Sequence, residues 1–221
     1  MIEAAIFDMD GLLIDSEPFW RKSHMEVLSQ YGFVVTEDDV RAAAGKRTAD
    51  QVALWHERFQ WEQPTNEVMT GTIVQNVARL IHLNGTALPG VYDVIDILKQ
   101  HNIPMAVASS SAADLIDVVL KRLDIQKYME FAHSAEHEAN GKPFPDVFLS
   151  TAKRLGVAVA NCVVFEDSLN GVKAAKAAGM KCVAVPEQPH DHAQFYEADL
   201  IVTSLEVLDW SAIENLWSDA K

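Results

Sequence analysis

The chain has 221 residues, 49% of them apolar, with 18 basic against 32 acidic side chains and a formal net charge of −14. That length and apolar content can bury a large core, as one big domain or as a core carrying an insertion. The acidic balance argues against nucleic acid or anionic membranes as main partners, and no apolar run approaches the length of a membrane span.

The run Glu3-Ala4-Ala5-Ile6-Phe7 is short and mostly apolar, which predicts a buried strand. Asp8 ends the run and Gly11 marks a turn after it. In extended backbone residues i and i+2 face one side, so Asp8 and Asp10 are expected to project together. Two carboxylates that close repel unless a cation sits between them or one keeps a proton. After Ser16 the period changes to helical: Trp20, His24, Val27, Leu28 and Tyr31 form one stripe, with Ser16 as the expected N-cap and Gly32 as the stop. Residues 36–83 read as helices and turns only. One helix follows Thr36, another carries Val52, Leu54, Trp55 and Phe59, and a third after Pro64 carries Val68, Ile73, Val77, Leu80 and Ile81.

From Pro89-Gly90 onward apolar runs alternate with amphipathic stretches. Helices are expected at 91–100, 112–123, 143–155 and 169–178, with strands at 103–108, around Phe131, and at 162–165, 182–185 and 199–202. This rhythm predicts an α/β fold, a doubly wound parallel sheet of Rossmann type, with an all-helical block inserted after the first strand. The expected division is a core of residues 1–15 and 84–221 and an insertion of residues 16–83. The two cysteines, Cys162 and Cys182, fall in strand-like runs without metal-site spacing. They read as buried reduced thiols, and with no signal-like leader a cytoplasmic location is expected. The sequence carries no sign of oligomeric state, and a monomer is the working expectation.

Polar residues recur where the strands end. The first strand leads to Asp8 and Asp10, the run 103–108 into Ser109-Ser110-Ser111, the weak strand near Phe131 into Gly141-Lys142-Pro143, and the run 162–165 into Glu166-Asp167-Ser168. In a parallel sheet these ends share one edge, where open α/β folds bind ligands. A serine run alone is an ordinary helix cap and a lone lysine an ordinary solvated charge. Four such ends in succession point to a site. Asp8, Asp10, Asp167 and Glu166 suit a hard divalent cation such as Mg²⁺. Serine hydroxyls, helix N-terminal N–H groups and the Lys142 ammonium suit an anion. Together they describe a site for a small phosphorylated metabolite, in which a carboxylate can itself attack phosphorus.

The string Asp8-Met9-Asp10-Gly11-Leu12-Leu13-Ile14-Asp15-Ser16 resembles the first motif of the haloacid dehalogenase-like superfamily. Ser109 resembles its second motif, Lys142 in Gly141-Lys142-Pro143 its third, and Glu166-Asp167-Ser168 its fourth, while residues 16–83 occupy the place of its helical cap. The resemblance implies that Asp8 is the nucleophile and Asp10 the general acid and base. It implies Mg²⁺ on the Asp8 carboxylate, the Asp10 carbonyl and Asp167, with Glu166 as a supporting or water-mediated ligand. Ser109, the Ser110 N–H and Lys142 would hold the phosphoryl group.

The string Asp15-Ser16-Glu17-Pro18-Phe19-Trp20 is similar to the sugar-phosphate phosphatase branch of that superfamily, which includes 2-deoxyglucose-6-phosphatase and hexitol phosphatases. Trp20 stands where the β-phosphoglucomutase branch has a histidine, which disfavours the mutase alternative. In the cap, Glu17 and Lys46 or Arg47 are the candidates for substrate contact. Trp20 and Trp55 read as core, and the histidines as structural or exposed. A signalling receiver domain also uses an acidic cluster with a lysine, but the helical insertion and the length argue against it. Gly141-Lys142 lacks the remaining residues of a nucleotide-binding loop.

Overall fold

The computed structural model describes residues 1–43, 48–186 and 193–218. Two compact units divide them: residues 1–15 with 86 onward, and Ser16–Gly85.

The first unit is built on a six-stranded parallel sheet, formed by β1 (Ala4–Phe7), β2 (Met105–Ser109), β3 (Phe131–Ser134), β4 (Cys162–Glu166), β5 (Lys181–Ala184) and β6 (Leu200–Ile201) in the order β3-β2-β1-β4-β5-β6. Strands β1, β2 and β4 are buried throughout, as parallel strands covered on both faces must be. Every second residue of β1 and β4 (Ala4, Ile6, Cys162, Val164) joins Val147, Phe148, Ala152, Val172 and Ala175 of the covering helices in one apolar cluster. The chain runs β1, β2, β3 outward on one side and then crosses to β4 on the other. The order therefore reverses at β1, where such sheets open a crevice at their carboxyl ends.

The helices of this unit were expected within a residue or two, with one exception. The helix expected from Pro143 begins at Asp146, because Pro145 disfavours helical backbone at Phe144 before it, and the Phe144 N–H closes a turn on the Gly141 carbonyl instead. The helices are α5 (Val91–Gln100), α6 (Ala113–Arg122), α7 (Asp146–Leu155), α8 (Leu169–Ala177) and α9 (Trp210–Glu214). Both cysteines are buried and not joined to each other.

The second unit is all-helical: α1 (Glu17–Gln30), α2 (Glu37–Ala43), α3 (Thr48–Phe59) and α4 (Asn66–Asn84). Thr36 caps α2 reciprocally, its Oγ1 accepting from the Asp39 N–H while its own N–H donates to Asp39 Oδ2. The core of this unit gathers Val27, Leu28, Val52, Trp55, Trp61, Met69 and Ile73, with Trp20 packed against it. Leu54, Val68 and Tyr31, expected on the buried stripes, are exposed, because the faces are set by Val52/Trp55 and Met69/Ile73. Ser16 occupies the N-cap position of α1 without making a side-chain cap, since its backbone is already helical at φ −91 and ψ −17. Gly32 follows α1 with φ +83, the left-handed turn expected of it. No helix among the described residues is long and apolar enough to cross a membrane.

Candidate active site

Strand register builds the centre of the site. Phe7 of β1 pairs with Val107 of β2 on one side and Phe165 of β4 on the other. The Phe7 and Phe165 rings stack with centroids 4.8 Å apart. One residue further on, Asp8, Ala108 and Glu166 therefore stand level across three adjacent strands. The Asp8 N–H donates to the Phe165 carbonyl at 3.0 Å, extending the ladder to the nucleophile candidate itself.

Lys142 bonds across this row. Its ammonium donates to Asp8 Oδ1 at 2.5 Å, Glu166 Oε1 at 2.5 Å and the Ala108 carbonyl at 3.3 Å, and it lies 4.9 Å from the centre of the Phe148 ring. Burial by itself would lower the Lys142 pKa, but the Asp8 and Glu166 carboxylates outweigh it and hold the ammonium charged. The expected role of Lys142 was to hold a phosphoryl group; here all three of its donors go to the row.

Glu166 is fully buried. Its second oxygen accepts from the N–H and the hydroxyl of Ser168, both at 2.9 Å, at the start of α8. Gly171 makes room for this carboxylate: a Cβ there would lie 1.7 Å from Glu166 Oε1. Read from sequence as a supporting metal ligand, Glu166 in the structure anchors Lys142 and the first turn of α8.

Asp167 projects from the same strand end toward the turn after β1. Gly11, with φ +79, lets that turn close, and a Cβ on it would sit 2.1 Å from Asp167 Oδ2. Asp8, Glu166 and Asp167 each present a ligand oxygen within 4.8 Å of the others. One ammonium cannot balance three carboxylates at that spacing. The Asp8 carboxyl is accordingly pushed up to about 7, first by burial and then by Glu166 and Asp10, against the pull of Lys142. Asp167 is raised too, by burial and then by Glu166 and Asp8. Hard oxygen donors with an excess of negative charge fit a small divalent cation such as Mg²⁺.

Asp10 follows two residues after Asp8, and its Oδ2 accepts from the Ser111 hydroxyl at 2.6 Å. Ser109 ends β2, buried, and its Oγ accepts from the Ser111 N–H at 3.1 Å. Ser110 is exposed beside it. The α6 N-terminus, an expected anion site, already gives its Ala113 N–H to Glu136 Oε1 at 3.1 Å. Asp8, Asp10, Ser109, Ser110, Lys142, Glu166 and Asp167 thus all belong to the first unit's carboxyl edge. Glu17 belongs to the second unit, in the first turn of α1 and 3.6 Å from Arg21. Arg47 and Lys46 lie outside the described residues.

Gly11, Gly171 and Ser111 were not assigned functional roles from sequence. Ser111 was reachable: it lies two residues beyond Ser109, on the same alternation that paired Asp8 with Asp10. Of the histidines, His56 bonds the Trp61 carbonyl, His133 bonds Glu138 and His24 is buried, while His190 and His192 lie outside the described residues.

A doubly wound parallel sheet thus gathers carboxylates, a buried lysine and hydroxyls at its point of reversal. Residues 5–185 match the model of the haloacid dehalogenase-like hydrolases, and the chain belongs to that family. It is 34% identical over 206 residues to hexitol phosphatase B of Escherichia coli K12, covering 92% of this chain and 93% of that one. It is 33% identical over 180 residues to a phosphorylated carbohydrates phosphatase of Thermotoga maritima, covering 81% and 83%. The crystal structure of β-phosphoglucomutase from Clostridium difficile superposes with a TM-score of 0.82 at 26% identity, covering 99% and 98%. The chain is accordingly a hydrolase of the phosphatase type.

Proposed function

We propose that this enzyme is a Mg²⁺-dependent phosphatase that hydrolyses a small phosphorylated sugar or polyol through a phospho-Asp8 intermediate. The observation that carries the reading is the row Asp8–Lys142–Glu166 with Asp167 beside it, a cluster whose negative charge exceeds its one ammonium. When bound, Mg²⁺ held by Asp8, Asp167 and the Asp10 carbonyl would offset that excess and draw in the phosphoryl oxygens.

An Asp8 carboxylate oxygen then forms a bond to phosphorus while the bond from phosphorus to the sugar oxygen breaks. Asp10 delivers its proton to the departing oxygen, which a sugar alkoxide needs and a phenolate does not. In the second step Asp10, now a carboxylate, takes a proton from water as the water oxygen bonds phosphorus and the Asp8–phosphorus bond breaks. Ser109 and the Ser110 N–H are suited to the phosphoryl oxygens. Lys142 keeps Asp8 oriented between attack and release, and charge developing on the phosphoryl group would draw one of its donors. On sequence grounds Glu17 and Arg47 of the helical insertion, read as a cap, are assigned to the sugar end of the substrate.

The names of the sequence relatives favour hydrolysis of a carbohydrate phosphate, while the β-phosphoglucomutase likeness keeps transfer to a second sugar hydroxyl as the alternative. A screen of hexose, hexitol and nucleotide monophosphates with Mg²⁺ tests the reading. Free phosphate should appear with the sugar or polyol esters, and Asp8→Asn should lose that activity almost entirely. An Asp8→Asn protein as active as the wild type would overturn the mechanism. Conversion of β-glucose 1-phosphate to glucose 6-phosphate without free phosphate would assign the mutase instead.

A further inference from the structure

We infer that Ser111 is a positioning residue for the acid–base group Asp10, a role that rests on the phosphatase reading above. The Ser111 hydroxyl donates to Asp10 Oδ2 at 2.6 Å, linking residues 101 positions apart in sequence. Ser111 is itself held from two sides. Its N–H donates to Ser109 Oγ at 3.1 Å, and its carbonyl accepts from the Ser134 hydroxyl at 2.6 Å. Ser134, buried at the end of β3, has its Oγ fixed in turn by the Glu136 N–H at 3.1 Å, and Glu136 Oε1 takes the Ala113 N–H. Asp10 is thereby tied through one hydroxyl to the ends of β2 and β3.

The chemical consequence concerns the two oxygens of Asp10. A hydroxyl that donates to Oδ2 can do so whether Asp10 is ionised or carries its proton on Oδ1. Oδ1 is then the oxygen that gives up the proton in the first step and collects one in the second. Both ends of β2 and β3 belong to the rigid sheet, so the alignment is set before substrate arrives. Ser109 and Ser111 therefore divide the labour of the serine run, one facing the phosphoryl group and the other the proton carrier.

Ser111→Ala separates this role from a structural one, because aryl and alkyl phosphates need the acid unequally. The measurements are turnover of p-nitrophenyl phosphate and of the best alkyl phosphate from the substrate screen, together with the p-nitrophenolate burst. Removing a positioned acid costs on the order of 10²–10⁴ in rate. Loss of its alignment should take about tenfold or more from the alkyl ester. The rate of the p-nitrophenolate burst should be unchanged, and the steady state after it slower, because the second step still needs Asp10. Ser111→Thr, which keeps the hydroxyl, should restore alkyl turnover, and Ser134→Ala should show the same alkyl-selective loss in weaker form. A p-nitrophenolate burst slowed as much as alkyl turnover, or no loss in the steady state of either ester, would overturn the assignment of Ser111 alone. A wild-type enzyme that releases phosphate from no ester in the screen would instead remove the reading on which it rests.

Discussion

Lowering the pH from about 8 to about 5 should destabilise the helical insertion through one residue, His24. Its side chain is fully buried on α1, and neither ring nitrogen has a hydrogen-bond partner among the described residues. The nearest aromatic rings, Trp20 and Trp55, have centroids 6.5 and 6.4 Å away, beyond the distance at which a ring face stabilises a cation appreciably. Burial therefore lowers the pKa from 6.5 to about 4. Above pH 6.5 both folded and unfolded chains carry neutral imidazole and stability is undiminished. Between 6.5 and 4 the unfolded chain alone takes up the proton, so stability falls as pH falls, and the loss levels off below the folded value. Linkage over that interval gives about 2 kcal/mol lost by about pH 5, approaching about 3 kcal/mol at lower pH. His24→Leu breaks no hydrogen bond among the described residues and should remove this component. The assay is urea unfolding followed by tryptophan fluorescence, since Trp20, Trp55 and Trp61 all lie in the insertion. The wild type should lose about 2 kcal/mol more than the variant between the two pH values. Identical pH dependence in the two proteins would refute the argument.

Two glycines and the cation give further tests. Gly171→Ala must push the Glu166 carboxylate off Lys142, so turnover should fall sharply and stability by about 1–3 kcal/mol, checked by kinetics and urea midpoints. Gly11→Ala should chiefly raise the Mg²⁺ concentration needed for half-maximal activity, because its Cβ would displace Asp167 and its φ of +79 disfavours a side chain. Chelation should stop turnover, and adding Mg²⁺ to the metal-free enzyme should raise the melting temperature, by about 2.7 kcal/mol of stabilisation at a hundredfold excess over its dissociation constant. A melting temperature indifferent to Mg²⁺ would remove the cation from the site.

The sheet was legible because buried parallel strands are written as short apolar runs, and β1, β2 and β4 have no exposed face to interrupt them. The acidic and hydroxyl residues were legible for the same reason: they break those runs at their carboxyl ends. What the residue types could not reveal was the partner of each charge. Glu166 beside Asp167 reads as a supporting or water-mediated ligand, yet strand alternation sends it inward to Lys142 while Asp167 meets Gly11. Lys142 reads as a phosphate ligand because its carboxylate partners lie 134 and 24 positions away in sequence. On the helices, periodicity located the stripes but not their centres, so Leu54 and Val68 read as core while Met69, fully buried, did not.

Where the chain leaves β1 for the insertion and where it comes back, it is fastened to itself. Ile14 forms an antiparallel bridge with Ala87, and the Leu88 N–H donates to the Leu13 carbonyl at 3.1 Å. Both ends of the helical block are thus pinned side by side, a few ångströms apart, next to the turn that bears Asp10. A segment attached at two adjacent points can be lengthened, shortened or exchanged without moving the strands that carry Asp8, Lys142 and Asp167. The same core can then be furnished with different insertions, and under the role proposed for Glu17 and Arg47 selectivity would drift with them while the reaction chemistry stayed put.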